Sequence, residues 1–333
     1  MSGGGDVSCR SVVFDHEYHT IISFENLLEA WQEFLKGKRR KEDVACFSSR
    51  LAENLLKLHT ELKTKTYTHG GYVAFNISDP KPRNIHKAIV RDRVLHHLLY
   101  KELYPYFDRR FIYDSYSCRV NKGTHKAGLR FEKFARRVSK NYTKQCFVLK
   151  CDVRKFFASI DHKTLKEILK KYIRDVDLLW LLDSVTDSFP KGLPLGNLTS
   201  QLLVNIYMNE FDQFVKQNLK EKYYIRYADD FVFFSQDKIH LESLIPEISL
   251  FLNQKLKLTL HPNKVFIKTI YSGVDFLGWV HFPRYRVLRT TTKRRMMRNL
   301  KDNSKEETIA SYLGLLGHGN EYKLSVKIRN LIA

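Results

Sequence analysis

Three aspartates carry the first chemical reading of this chain: Asp152, which ends the β-rich run Gln145-Cys-Phe-Val-Leu-Lys-Cys151, and the adjacent pair Asp229-Asp230. Two acids side by side raise one another's pKa unless something neutralises them, and a divalent cation removes that cost. Isolated Asp-Asp pairs are usually exposed turns. This pair lies inside Tyr224-Ile-Arg-Tyr-Ala-Asp-Asp-Phe-Val-Phe-Phe234, an apolar context in which unpaired acids are expensive. Three hard oxygen ligands suit Mg²⁺, which favours carboxylates together with substrate phosphates. Two such ions can stabilise an attacking and a leaving oxygen in an in-line displacement at phosphorus.

The acids need elements to bring them together. Tyr223 to Ser235 reads as a β-hairpin with Asp229 and Asp230 at its tip, and Asp152 ends a separate strand, so an antiparallel sheet can set its carboxylate beside the pair. Around this centre the spacing predicts two helices between Phe24 and Leu62, a strand over Gly71 to Ile77, and a turn at Asp79-Pro-Lys-Pro-Arg83. It further predicts a helix from Ile89 that runs until Pro105, and helices over Lys126 to Lys140, Lys163 to Ile173, Leu202 to Leu219 and Leu241 to Leu256. Lys264 to Ile270 and Val274 to Val280 are strand-like, and Thr290 to Leu300 opens a basic helical tail. Lys36-Gly-Lys-Arg-Arg-Lys41 fits a solvated loop and a phosphate contact equally well.

With 57 Lys and Arg against 36 Asp and Glu, the 333 residues carry a formal charge of +21, which points to a polyanionic partner without saying which one. Hydrophobic residues make up 43%, enough for substantial cores and against disorder as the default. The five cysteines, Cys9, Cys46, Cys118, Cys146 and Cys151, form no C-x-x-C pair and read as reduced thiols. No apolar run reaches the length of a membrane span, and the opening Met1-Ser-Gly-Gly-Gly5 lacks a signal-peptide layout. A cytoplasmic protein with no membrane partner is the expectation.

Tyr227-Ala-Asp-Asp230 resembles the Y-x-D-D motif of reverse transcriptases, and four further blocks follow the family order. Lys150-Cys-Asp-Val-Arg-Lys-Phe-Phe157 resembles the first catalytic motif. Gly192-Leu-Pro-Leu-Gly-Asn-Leu-Thr-Ser-Gln201 resembles the segment supporting template and nucleotide. Leu260-His-Pro-Asn-Lys264 is similar to the motif with a leaving-group lysine, and Phe276-Leu-Gly-Trp279 to the primer-grip hairpin. The resemblance implies an α+β right-hand polymerase with a ferredoxin-like antiparallel palm sheet. Its division would be a flexible tail over 1–20, fingers with part of the palm over 21–145, palm over 146–285 and thumb over 286–333.

The same resemblance implies an RNA-directed DNA polymerase using two Mg²⁺ ions, dNTPs, an RNA template and a DNA or RNA primer. Asp152, Val153, Asp229 and Asp230 are then the metal positions, with Lys264 as proton donor to the leaving pyrophosphate. Lys81, Arg83, Leu195 and Gln201 fall in nucleotide-binding segments. Phe157 falls at the steric gate that rejects a ribonucleotide 2′-hydroxyl, although either Phe156 or Phe157 could instead be a core ring. Arg91, Arg93, Arg119, Lys122, Gly278, Lys293, Arg294 and Arg295 are expected nucleic-acid contacts, and for Arg91 and Arg93 ion pairing within a helix is an equal alternative.

Within the family, Leu195 stands where many members have Gln, and Ser200-Gln201 where group II intron enzymes have Ser-Pro. The Gly-x-Leu-Thr-Ser-Gln pattern, Arg91-Asp-Arg-Val94, Asp114-Ser-Tyr-Ser-Cys-Arg119 and Lys122-Gly-Thr-His125 resemble the reverse transcriptases of diversity-generating retroelements. That type implies a bacterial, archaeal or phage origin, a structured noncoding RNA and a small basic accessory protein. Alternatives with the same palm are retron, antiphage-defence and group II intron-like enzymes. A viral-type RNA-dependent RNA polymerase is a rival that Phe157 opposes, and a non-catalytic RNA-binding scaffold is one that the retained acids oppose.

Overall fold

A computed structural model describes residues 13–78, 82–302 and 305–330, with the backbone alone at 302. In chain order the first half contains α1 (Tyr18–Ile21), α2 (Phe24–Leu35), α3 (Glu42–Ser48), α4 (Leu51–Lys63), β1 (Tyr72–Ile77), β2 (Arg83–Ala88), α5 (Val90–Asp108), α6 (Thr124–Val138), β3 (Phe147–Asp152) and α7 (Phe156–Ser159). Next come α8 (His162–Tyr172), α9 (Val176–Asp187), α10 (Leu198–Gln213), β4 (Tyr224–Tyr227), β5 (Asp230–Ser235), α11 (Lys238–Leu256) and β6 (Phe266–Thr269). The chain closes with β7 (Val274–Phe276), β8 (Trp279–Phe282), β9 (Tyr285–Leu288), α12 (Thr290–Asp302), α13 (Glu306–Leu316) and α14 (Tyr322–Arg329). Its contacts divide it into two units, each built from separate stretches of chain, and one of the crossings between them falls inside α10 between Tyr207 and Met208.

The first unit comprises the described parts of Met1–Ile77, Arg83–Arg110 and Ile160–Tyr207. Leu27, Ala30, Trp31 and Phe34 form the buried stripe of α2, at the i, i+3, i+4, i+7 spacing that one helix face requires. The stripe packs on α5, whose Val94, Leu95, Leu98 and Leu99 are buried. Helix α5 continues through Pro105 to Asp108, beyond its expected end, because Leu103 and Phe107 on either side of the proline are both buried and hold the last turn. Between Phe24 and Leu62 a third short helix, α3, joins the two expected ones. Strands β1 and β2 pair from Tyr72↔Ala88 to Ile77↔Arg83.

The second unit holds a four-stranded antiparallel sheet in the order β4-β5-β3-β6. Strand β3, then β4 and β5 as a hairpin, then α11, then β6 give the β-α-β-β-α-β layout of a ferredoxin-like sheet. Period-two alternation sends Val148, Ile225, Val232 and Phe234 to one face, where they pack with Phe131 and Phe134 of α6 and with Val274 and Phe276. Tyr224, Phe231 and Phe233 turn to the other face, where the Phe211 ring of α10 meets Tyr224 edge to face and Phe231 at a tilt. Val274 to Val280 is not one strand but two. Leu277 and Gly278 both take positive φ, +52° and +87°, and reverse the chain in the two-residue turn that such angles favour. A separate core of Trp279, Leu288, Met296, Leu300, Ile309, Leu316 and Ile328 joins the β7-β8-β9 sheet to α12, α13 and α14.

Cys146 and Cys151 are buried, whereas Cys46 in the first unit and Cys118 in the second are exposed thiols; Cys9 lies outside the described residues. Among the described residues no helix is long and apolar enough to cross a membrane.

Candidate active site

Strand register brings the acids together. In the β3–β5 pairing Asp152 lies directly opposite Asp230, and the hairpin closes through Tyr227↔Asp230 with Ala228 and Asp229 as its two turn residues. Ala228 takes φ +54°, a left-handed conformation that costs an L-residue about 1–2 kcal/mol. Val153 N–H donates to the Asp229 carbonyl at 3.2 Å, which ties the end of β3 to the hairpin tip. The 259–264 loop is strapped to the same end: Arg154 N–H donates to Thr259 O at 2.9 Å, and His261 N–H to Asp152 O at 2.7 Å.

Two lysines stand beside the acids. Lys264 Nζ donates to Asp152 Oδ1 at 3.0 Å, with its side chain 44% exposed and open to an incoming group. Lys150, buried in β3, sits 3.2 Å from Asp230 Oδ2 and donates to the Asp275 carbonyl at 2.9 Å. Asp230 keeps 18% exposure as a whole, but its Oδ1 is sealed from solvent and has no hydrogen-bond partner. Burial pushes its carboxyl up to about 7 against the pull of Lys150, with further upward pushes from Asp229 and Asp152. A sealed carboxylate oxygen without a donor, beside two more aspartates, fits a hard divalent cation. Among the described residues no group of three His, Cys, Asp or Glu side chains closes into a ready-made cage. Mg²⁺ needs none, since it keeps several waters and binds through one or two carboxylates plus substrate phosphates.

Beneath the hairpin lies a polar network that the sequence reading missed. Arg226 and Asp212 are both fully buried and form a fork, Nε to Oδ1 at 2.8 Å and Nη2 to Oδ2 at 2.6 Å. Tyr224 Oη donates to the same Asp212 at 2.8 Å. Arg226 also donates to Ser115 Oγ at 3.1 Å and, through Nη1, to the carbonyl of the left-handed Ala228 at 3.2 Å. Behind Ser115, Asp114 accepts a second fork from Arg130 at 2.7 and 2.9 Å. The available signal was a lone charge in an apolar run, Arg226 in β4 and Lys150 in β3, since a buried cation must find an acid.

The remaining expected positions divide. Phe156 is the buried ring and Phe157 is half-exposed, the two meeting edge to face. Lys81 lies outside the described residues, and Arg83 is exposed at the start of β2. Leu195 is half-buried, its carbonyl accepting from His86 N–H at 3.0 Å, and the side-chain amide of neighbouring Asn197 donates to His86 O at 2.8 Å, so the Leu195 backbone and the Asn197 side chain together tie this segment to β2. Gln201 is half-buried in α10. Arg91 pairs with Glu61 and Asp92, and Arg93 pairs with Asp43 over the Phe34 ring. Arg119 donates to the Ile112 and Ser115 carbonyls. Lys122 donates to Tyr113 O and lies over that ring. Gly278 occupies the β7–β8 turn and accepts from Arg289 N–H. In α12, Lys293 pairs with Glu321 at 2.7 Å, Arg294 is exposed and Arg295 is half-buried.

Comparison with known proteins follows the same lines. Residues 78–281 match the family described as reverse transcriptase (RNA-dependent DNA polymerase). The chain is 26% identical over 274 residues to Protein YkfC of Escherichia coli strain K12, which covers 69% of this chain and 71% of that protein. It is 21% identical over 279 residues to the putative COX1/OXI3 intron 2 protein of Saccharomyces cerevisiae, 64% of this chain but only 31% of the yeast protein. Among solved structures, apo telomerase from Candida tropicalis, truncated from its C-terminal domain, superposes with a TM-score of 0.50 at 13% identity, over 72% of this chain and 60% of that one. That likeness bears on the fold. With the family matched over most of its length, the chain belongs to the reverse transcriptases, RNA-directed DNA polymerases that bind an RNA template and a primer.

Proposed function

We propose that this polymerase works through Asp152, Val153, Asp229 and Asp230 as holders of two Mg²⁺ ions, and that it is the error-prone reverse transcriptase of a diversity-generating retroelement. The observation that carries the first part is the opposed Asp152–Asp230 pair with the orphaned Asp230 Oδ1. When bound, two Mg²⁺ ions supply charge neutralisation at the attacking and leaving oxygens. Lys150 keeps Asp230 oriented, and Arg226 holds the Ala228 turn that presents Asp229. Lys264, accessible and next to Asp152, gives a proton to the departing pyrophosphate. Phe157 stands over the sugar and disfavours ribonucleotides, while Arg83 and Lys81 meet the triphosphate and Gln201 lies in the segment under the nucleotide.

The retroelement assignment is supported by the Gly-Asn-Leu-Thr-Ser-Gln block and by Leu195, which offers no amide to a base or sugar where many members of the family have Gln. Losing a hydrogen-bonding group near the nucleotide loosens substrate checking. On this reading the template is a structured noncoding RNA, and a small basic protein assists in holding it. The similarity to an intron-encoded protein favours a second reading, an intron-type enzyme with the same chemistry. Primer extension on RNA with Mg²⁺ and dNTPs, sequenced beside an Asp229→Ala control, tests both parts. Extension abolished in the control, with errors concentrated opposite template adenines that fall in Leu195→Gln, is the expected result. Extension that survives Asp229→Ala sinks the metal assignment, and evenly distributed errors sink the retroelement one.

A further inference from the structure

Strand β3 carries Asp152 at one end and, five residue steps or about 17 Å away, receives the Ser139–Cys146 connection at the other. In that connection Lys140, Asn141 and Tyr142 take φ +48°, +60° and +66°, three left-handed residues in succession. Single left-handed residues already cost about 1–2 kcal/mol, so a run of three needs strong support. Ser139 Oγ accepts from Tyr142 N–H at 2.9 Å, Arg136 O from Asn141 N–H at 2.7 Å, and Tyr142 O from the Tyr271 hydroxyl at 2.7 Å.

This turn, the outer face of α6 and Arg284 in the β8–β9 turn border an open cavity of about 580 Å³. Its lining includes Leu129, Lys133, Arg136, Tyr142 and Arg284, together with Glu132. Glu132 already pairs with Arg286 at 3.1 Å. Among the described residues no carboxylate lies within ion-pair reach of Lys133, Arg136 or Arg284, and all three are exposed. The cavity therefore concentrates three uncompensated cations beside an apolar wall, Leu129 being 56% exposed and Tyr142 half-buried. Lys126, Lys133 and Arg137 continue the positive charge along the exposed side of α6, a track of roughly 17 Å, and exposed Lys140 adds to it from the turn that follows.

We propose that this cavity seats an unpaired nucleotide of single-stranded RNA, its phosphate held by Lys133, Arg136 and Arg284 and its base laid against Leu129 and Tyr142. Cations alone would suit any polyanion. A concavity within the size range of small-molecule sites, with an aromatic and aliphatic wall at the same place, selects a nucleotide over an acidic protein surface. The inference rests on the family's RNA partner but not on the assignment of the acids, and the two fail separately.

Binding of the full chain to a fluorescein-labelled, unstructured single-stranded RNA, followed by anisotropy across a salt series, tests it. Replacing Lys133, Arg136 and Arg284 together by alanine is expected to weaken binding by on the order of tenfold and to flatten the slope of log K against log salt by about 0.7, the share of one neutralised phosphate. Leu129→Ala is expected to weaken binding with the slope preserved. All four side chains are solvent-facing or line the open cavity, and an unchanged melting temperature verifies folding. An unchanged slope in the triple variant overturns the proposal and leaves an acidic protein as the occupant. So does an equal flattening when Lys57, Lys63 and Lys255, exposed elsewhere, are replaced instead. Asp229→Ala, run in parallel, reports on extension alone.

Discussion

Replacing Arg226 by methionine removes the one cation that joins the buried Asp212, Ser115 and the Ala228 carbonyl. Asp212 would keep the Tyr224 hydroxyl and the more distant charge of Lys216 but would lose its ion-pair partner in a fully buried position, at a cost of about 3–5 kcal/mol. Loss of activity in that single variant could therefore mean mere unfolding. The informative protein is Arg226→Met with Asp212→Leu, because exchanging a buried ion pair for apolar side chains of similar volume is often neutral or stabilising. In the double variant the sheet keeps its packing but Ala228 loses a charge-assisted hydrogen bond worth about 1.5–3 kcal/mol, which removes one of the restraints on its left-handed backbone and leaves the Val153–Asp229 bond and the strand pairing. If that energy serves to hold Asp229 in place for the transition state, kcat falls by about 10- to 100-fold while KM for dNTP stays within about twofold. Single-turnover primer extension beside thermal denaturation separates the outcomes. A double variant that melts like the parent and retains the parent's kcat refutes the positioning argument and reduces the network to packing.

Lys264→Met is expected to slow single-turnover extension by about 100-fold or more and to flatten the alkaline limb of the pH–rate profile, as loss of a proton donor does; an unaltered profile would assign Lys264 to the ion pair with Asp152 alone. Phe157→Ala should raise incorporation of rNTPs relative to dNTPs, whereas Phe156→Ala should chiefly lower the melting temperature because that ring is buried; the reverse pattern would exchange their roles. Acid stability follows from two buried imidazoles, His96 facing His69, His97 and Arg93, and His281 facing Glu132, Arg286 and Lys150. Burial lowers both to about 3, with the neighbouring cations adding to the effect. Below about pH 6.5 the unfolded chain gains protons that the folded chain refuses, so the stability present above that pH is lost as pH falls toward 3, at about 2 kcal/mol per histidine between pH 6.5 and 5. Denaturant midpoints for His281→Phe, whose ring would remain against Phe131, should show about half of this acid dependence removed; parallel curves for variant and parent would show that His281 titrates normally.

The sheet that carries the acids was legible because its strands obey simple alternation and end in charges. Gln145 to Asp152 and Tyr223 to Ser235 read as strands that an antiparallel sheet could set side by side, and the register observed between them keeps the apolar residues of both on shared faces. What supports the acids was far less visible. Arg226 and Lys150 each look like ordinary surface cations by composition, and their partners Asp212 and Asp230 lie 14 and 80 positions away in sequence, a pairing that only the fold creates. Pro105 misled because local propensity ends a helix there, while the buried residues flanking it, which decide the matter, carry no local mark. By composition Val274 to Val280 reads as one strand, since Leu277 at positive φ is not a residue that announces a turn; the reversal was marked only by the likeness of Phe276-Leu-Gly-Trp279 to a hairpin. Helices α13 and α14 do carry helical spacing, Ile309, Tyr312, Leu313 and Leu316 in one and Leu324 and Ile328 in the other, but each stripe is short and finds its partners, Trp279 and Leu288, only in the fold. The expected tail over 1–20 falls largely outside the described residues.

The distribution of thiols has a practical consequence for following the enzyme at work. Cys146 and Cys151 are buried, and burial raises both thiols far above the usual range, so neither offers a thiolate to an alkylating dye at neutral pH. Cys46 and Cys118 remain open, one in each compact unit. Once Cys9 is replaced by serine, maleimide donor and acceptor dyes would attach at those two sites with no further engineering, and energy transfer between them would report, molecule by molecule, whether the two units change their separation as template and nucleotide are taken up.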